Sequence, residues 1–114
     1  MEPLSPELLR GSLELMVLSV LSDGPKYGYL IQQQLKTGSG DLVNIQAGTL
    51  YPVLHRLEKD KYVKARWEQT TGRQRKWYEL TAAGRRQLGK RAEAWREYVE
   101  CVQLLLGPAL AQPS

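Results

Sequence analysis

Apolar positions along the chain follow two periods. Leu13, Met16, Val17, Val20 and Leu21 recur at i, i+3, i+4, i+7 and i+8, a single helical stripe. Leu15 and Leu18 lie off that stripe, so this first helix is apolar on more than one side and needs a second partner, either more core or another subunit. Ser5-Pro6-Glu7 reads as its start, a capping hydroxyl followed by proline and an acid. Asp23-Gly24-Pro25 reads as its stop. Tyr27, Leu30, Ile31 and Leu35 share one face of a short second helix, and Thr37-Gly38-Ser39-Gly40 is a loop by composition. A third helix begins near Gln46 or Ala47 and turns Leu50, Val53, Leu54 and Leu57 inward. At about 100° per residue its opposite face carries Gly48, Pro52, His55 and Lys59, flanked by Tyr51 and Arg56. Pro52 falls early enough in this helix for a mild bend.

After Lys61 the period changes to two. Val63, Ala65 and Trp67 alternate with Lys64, Arg66 and Glu68, and Tyr78 and Leu80 alternate with Trp77 and Glu79. Thr70-Thr71-Gly72 supplies the turn of a β-hairpin, and Arg73, Arg75 and Lys76 crowd just past its tip. Thr81 caps a final helix in which Leu88, Ala92, Trp95, Val99, Val102 and Leu106 recur at steps of four and three, a heptad seam. From Ala82 to Leu106 that helix is about 37 Å long at 1.5 Å per residue, more than a domain this small can cover. Gly107-Pro108 is expected to end it. The fold class is mainly α with a small β-hairpin: a winged helix-turn-helix over residues 1–80, a dimerisation helix over 81–106 and a loose tail over 107–114.

Charge sharpens this picture. The 114 residues carry a net charge of +4, unevenly placed. Between His55 and Arg91 stand twelve basic residues and four acidic ones, a local net charge of +8, while the remainder carries −4. Such a block suits a polyanion, because neutralised phosphates release counterions. It equally suits a solvated basic face. The titratable inventory argues against an enzyme, with one histidine (His55), one cysteine (Cys101) and three aspartates (Asp23, Asp41, Asp60). No residues stand at metal-ligand spacing and no glycine-rich phosphate loop follows a strand, so neither a metal nor a cofactor is expected. The longest apolar run, Leu15 to Leu18, is far short of a membrane span, and Met1-Glu2-Pro3 lacks the basic start of a signal peptide. A lone cysteine suits a reducing interior, so a cytoplasmic location is expected.

Four stretches then carry a family likeness. They are Gly11-Ser12-Leu13-Glu14-Leu15, Gly24-Pro25-Lys26-Tyr27-Gly28-Tyr29, Gly48-Thr49-Leu50-Tyr51-Pro52-Val53-Leu54-His55-Arg56-Leu57-Glu58 and Lys76-Trp77-Tyr78-Glu79-Leu80-Thr81-Ala82-Ala83-Gly84. In order and spacing the chain resembles the PadR-like family of bacterial transcriptional regulators, in particular the short subfamily whose C-terminal part is one dimerising helix. One departure is Gln46, where many members cap the third helix with Ser or Asn.

The resemblance implies a homodimer with the third helix in the major groove of double-stranded DNA and the hairpin along the flanking backbone, acting as a repressor on a palindromic operator. Thr49, Tyr51, His55 and Arg56 are the residues expected to contact bases or the backbone beside them, and Lys59, Lys64, Arg73, Arg75 and Lys76 those expected on phosphates. Tyr27 and Tyr51 equally fit half-buried packing roles. Leu13, Val17, Leu88, Ala92, Trp95, Val99, Val102 and Leu106 are the expected dimer contacts. Some relatives bind flat apolar compounds between subunits beside a tryptophan of the last helix, which implies an effector pocket at Leu15, Leu18 and Trp95. The alternative is a winged-helix module that meets an acidic protein. Such a module is expected to expose apolar residues on its third helix, where this chain has Thr, His, Arg and Lys.

Overall fold

Helix α1 (Leu13–Val20) leads through a short 3-10 segment (Leu21–Asp23) into strand β1 (Lys26–Tyr27) and helix α2 (Gly28–Gly38). Helix α3 (Ala47–Lys59), strands β2 (Val63–Thr70) and β3 (Arg73–Leu80), and helix α4 (Ala82–Ala111) follow. This computed structural model describes residue 9 and residues 11–70 and 72–111, excluding the side chains of residues 70, 73, 110 and 111. The helix start expected at Ser5-Pro6-Glu7 and the middle turn residue Thr71 lie outside these.

Helix α1 sits at the centre and packs against α2, α3 and α4. That position accounts for its apolar character on several sides, since three neighbours from the same chain cover it. Leu13, Val17 and Leu18 are buried in the core of the single chain. Leu13 and Val17, expected at a dimer contact, are thus covered by their own chain, and Leu18, expected at an effector pocket, is fully enclosed with them. A helical stripe reports that a face is covered and does not say by which chain.

One correction concerns Tyr27, which belongs to a strand and not to α2. Lys26 and Tyr27 pair antiparallel with Tyr78 and Trp77, making a three-stranded sheet of order β1-β3-β2. The hairpin itself holds a continuous register from Val63↔Leu80 to Thr70↔Arg73, with Gly72 at φ 78° in the turn. Val63, Tyr78 and Leu80 close the core from the sheet side. The face they define runs on past the core, so that Trp67 stands exposed.

Helix α3 starts as expected, with the Gln46 carbonyl accepting from the N–H groups of Thr49 and Leu50 at 3.0 Å each and no side-chain cap. Pro52, the sixth residue of the helix, deletes the bond to the carbonyl of Gly48, which lies on an exposed stretch open to water. The helix stops in a Schellman arrangement. The Tyr62 N–H donates to Leu57 at 2.9 Å and the Lys61 N–H to Glu58 at 3.0 Å, with Lys61 left-handed at φ 64°. This stop aims the chain directly into β2.

Thr81 caps α4. Its Oγ1 accepts from the Gly84 N–H at 2.9 Å and donates to the Lys61 carbonyl at 2.7 Å. The first turn of α4 thereby lies against Tyr62, and a Cβ at position 84 would overlap the Tyr62 carbonyl. The helix does not end at Gly107-Pro108 but continues to Ala111. Pro108 removes only one hydrogen bond, to Leu104, whose surroundings are open to water, and only one turn remains beyond it. Residues 107–111 are thus helix and not tail, and 112–114 lie outside the described residues.

Candidate nucleic-acid interface

Helix α3 divides into a core face and three outer strips. Leu50, Val53, Leu54 and Leu57 are buried. Gly48, Pro52, His55 and Lys59 form the outermost strip, and all four are exposed. One flank carries Tyr51 and turns toward the hairpin; the other carries Thr49 and Arg56 and turns toward α1. The flanks are held differently. The Tyr51 ring rests on Gly28 so closely that a Cβ there would lie 2.9 Å from Cζ. Arg56 donates from Nε to Oε1 of Glu14 on α1 at 3.4 Å.

The hairpin cations do not form one cluster. Lys76 points toward α3, with Nζ 3.7 Å from Oε1 of Glu58 and 5.9 and 5.6 Å from the ring centroids of Trp67 and Tyr78. Arg75 lies on the other face of the sheet, its guanidinium 4.8 Å from the centroid of Tyr27, which meets Trp77 edge-on at 5.2 Å. Lys64 is paired with Glu79 at 3.1 Å. The backbone of Arg73 opens β3, but its side chain lies outside the described residues. Lys59 and Arg75 remain well exposed at the margins of the surface.

Between α3 and the hairpin runs a cleft of about 470 Å³ lined by Tyr29, Tyr51, His55, Trp67, Arg75 and Lys76 among others. Tyr29 and Trp67 were not singled out by sequence reasoning, yet both are largely exposed at its rim. Their signal was available in part. Trp67 continues the inward period of β2 beyond the last position the core can cover. Beneath the cleft, burial pushes the Tyr78 phenol up to about 12, with Tyr51 and Glu58 nearby adding to the effect. Lys26, buried under the sheet, is ion-paired to Asp23, and this bond holds the Asp23 carboxyl below its ordinary range.

A second, more apolar groove of about 430 Å³ opens between α1, α2 and α4, lined by Leu15, Met16, Val20, Leu35, Leu88 and Trp95 among others. Leu15 and Trp95 are thus brought together, and Leu18 is not part of the lining. Along α4, Leu88 packs against the core, Val99 and Val102 are half-buried, and Ala92, Trp95 and Leu106 are exposed in the single chain. Leu104 and Leu105 are more exposed still, at 82% and 78%. Cys101 is free and exposed. Among the described residues no helix is long and apolar enough to cross a membrane.

Residues 17–90 match the profile described as the transcriptional regulator PadR-like family. The chain is 33% identical over 91 residues to a transcriptional regulator of Mycobacterium tuberculosis, covering 80% of this chain and 82% of that one. Among solved structures it is similar to a PadR family transcriptional regulator from Eggerthella lenta, with a TM-score of 0.79 and 35% identity over 88% of this chain and 86% of that one. It is also similar to a transcriptional regulator from Clostridium thermocellum, with a TM-score of 0.80 and 29% identity over 85% of this chain and 95% of that one.

Proposed function

The chain belongs to the PadR-like family of transcriptional regulators, DNA-binding proteins rather than enzymes, and from that premise we propose that it is a dimeric repressor reading a palindromic operator through α3. The observation that carries this reading is the outer strip of α3. Gly48, His55 and Lys59 stand exposed there beside Thr49, Tyr51 and Arg56, and the hairpin is tied to the same helix through Lys76 and Glu58. A recognition helix works in this way, with short and polar side chains on base edges and a neighbouring element on the backbone.

In this mechanism Thr49, Tyr51, His55 and Arg56 contact bases or the backbone beside them, while Lys59, Lys64, Arg73, Arg75 and Lys76 meet phosphates. The ion pairs of Lys64 and Lys76 are exposed or half-exposed, so exchange of Glu79 or Glu58 for a phosphate costs little. Two copies join along α4 through Leu88, Ala92, Trp95, Val99, Val102 and Leu106, covering apolar side chains that the single chain leaves open. The α1–α4 groove, with Leu15 on one wall and Trp95 on the other, suits a flat apolar effector that relieves repression. A mobility-shift titration tests the reading, using DNA from the protein's own upstream region beside a scrambled duplex at two salt concentrations. Discriminating binding that falls steeply with salt is expected. Absence of binding to either duplex at low salt would instead favour an acidic protein as the partner.

A further inference from the structure

A single carboxylate ties three helices together. Glu14, on α1, accepts from Arg56 Nε at 3.4 Å through Oε1 and from Arg91 at 3.1 Å through Oε2. Arg56 stands on the flank of α3. Arg91 belongs to α4, where its guanidinium also lies 5.6 Å from the ring centroid of Tyr62. The three side chains differ in exposure: 59% for Arg56 against 28% for Glu14 and 29% for Arg91. Glu14 and Arg91 are therefore half-buried, and Arg56 is the member that opens to the surface.

A carboxylate and a phosphodiester are alternative ligands for one guanidinium. We infer that Glu14 is a positioning residue for DNA binding, a built-in competitor for Arg56 whose hold on that side chain is set by Arg91. The inference rests on α3 being the helix that meets DNA. With Arg91 in place, the charge of Glu14 is shared between two guanidinium groups, and Arg56 passes readily to a phosphate. With Arg91 withdrawn, the whole carboxylate falls to Arg56 and the exchange is harder. Leu15 and Ala92, the chain neighbours of Glu14 and Arg91, line the groove between α1 and α4. A change in the spacing of those two helices is thereby felt at the recognition helix through two hydrogen bonds, which is a contiguous physical link between the two regions.

The test is a salt series of DNA-binding titrations by fluorescence anisotropy, on a duplex from the protein's own upstream region and on a scrambled duplex. Glu14→Gln should bind both duplexes about three- to eightfold more tightly at low salt, with a salt dependence steeper by about 0.9 for each additional phosphate neutralised. The gain should vanish when Arg56→Gln is added. Arg91→Gln should weaken binding, and should have no effect in the Glu14→Gln background. Wild-type affinity and slope for a folded Glu14→Gln protein would overturn the inference. Should that variant not fold, Arg91→Gln alone decides, since unchanged or tighter binding contradicts the competition. Unchanged affinity for Arg56→Gln would also overturn the inference while leaving DNA recognition by α3 standing. A wild-type protein that binds neither duplex would overturn both.

Discussion

Tyr51 lies across Gly28 with no room for a side chain beneath it: a Cβ at position 28 would reach the phenol ring itself. The contact joins the middle of α3 to the first residue of α2 and fixes the direction in which the Tyr51 hydroxyl points. The blocking atoms belong to the far end of an exposed side chain, which can swing aside at small cost. Gly28→Ala should therefore leave the melting temperature within a few degrees of wild type, helped by the better helix propensity of alanine. DNA affinity should nevertheless fall several-fold, because Tyr51 is displaced. Gly84→Ala makes the opposite case. Its Cβ would meet the backbone carbonyl of Tyr62, which cannot swing away, and a destabilisation of about 2 kcal/mol or more is expected. Thermal denaturation of the two variants side by side checks the contrast, and equal stabilities would contradict it.

The hairpin cations should act through the phosphate backbone. Arg73→Ala and Arg75→Ala are expected to weaken binding equally on specific and scrambled DNA, and each to reduce the salt slope by about one. Lys76→Ala should behave differently, because Lys76 also ties the hairpin to α3 through Glu58. Titrations at several salt concentrations separate the two behaviours. A weakening confined to the specific duplex would remove Arg73 and Arg75 from the set of residues that meet the backbone.

Association should depend on the outer half of α4. Val102→Glu combined with Leu106→Glu places charge at two seam positions while touching none of the core side chains. Sedimentation at micromolar concentration should show the wild-type chain as a dimer and the double variant as a folded monomer. DNA affinity should fall with it, because two half-sites are no longer read together. A double variant that sediments as wild type would place the interface elsewhere.

Tyr78 makes the fold sensitive to alkali. Its phenol is held protonated to about 12 against an ordinary value of 10.0, chiefly by burial. The unfolded chain thus releases that proton first as pH rises, and the folded state binds more protons than the unfolded one between these values. Stability should decline from about pH 10 upward, and Tyr78→Phe should flatten the decline. Urea denaturation followed from pH 8 to 11 measures it. An equal decline in the phenylalanine variant would assign the effect to other groups.

Much of this molecule is legible in its sequence where a strong period meets a clear terminator. Leu50, Val53, Leu54 and Leu57 mark α3, and the switch to alternation after Lys61 marks the hairpin. Strand β1 could not be read in the same way, because two residues carry no period and pair only through the distant Tyr78 and Trp77. Leu13, Val17 and Leu18 show a different limit: covering by α2, α3 and α4 leaves the same apolar faces that a second subunit would. At Pro108 a helix-breaking residue close to an end costs one hydrogen bond and does not set the boundary. At the surface, residue types gave the charge of the site but not its division. Lys76 and Arg75, adjacent in sequence, turn to opposite faces of the sheet, and Arg56 meets an acid 42 residues away.

The proposed dimer sets two copies of α3 against one face of a DNA duplex, and hydroxyl-radical footprinting of the fragment that shifts with this protein checks that arrangement. Two protected patches are expected, related by two-fold symmetry and separated by about one helical turn, or a multiple of it. Both patches should disappear in the Val102→Glu, Leu106→Glu protein. A single protected patch, or continuous protection without symmetry, would contradict a dimer that presents its recognition helices to successive major grooves.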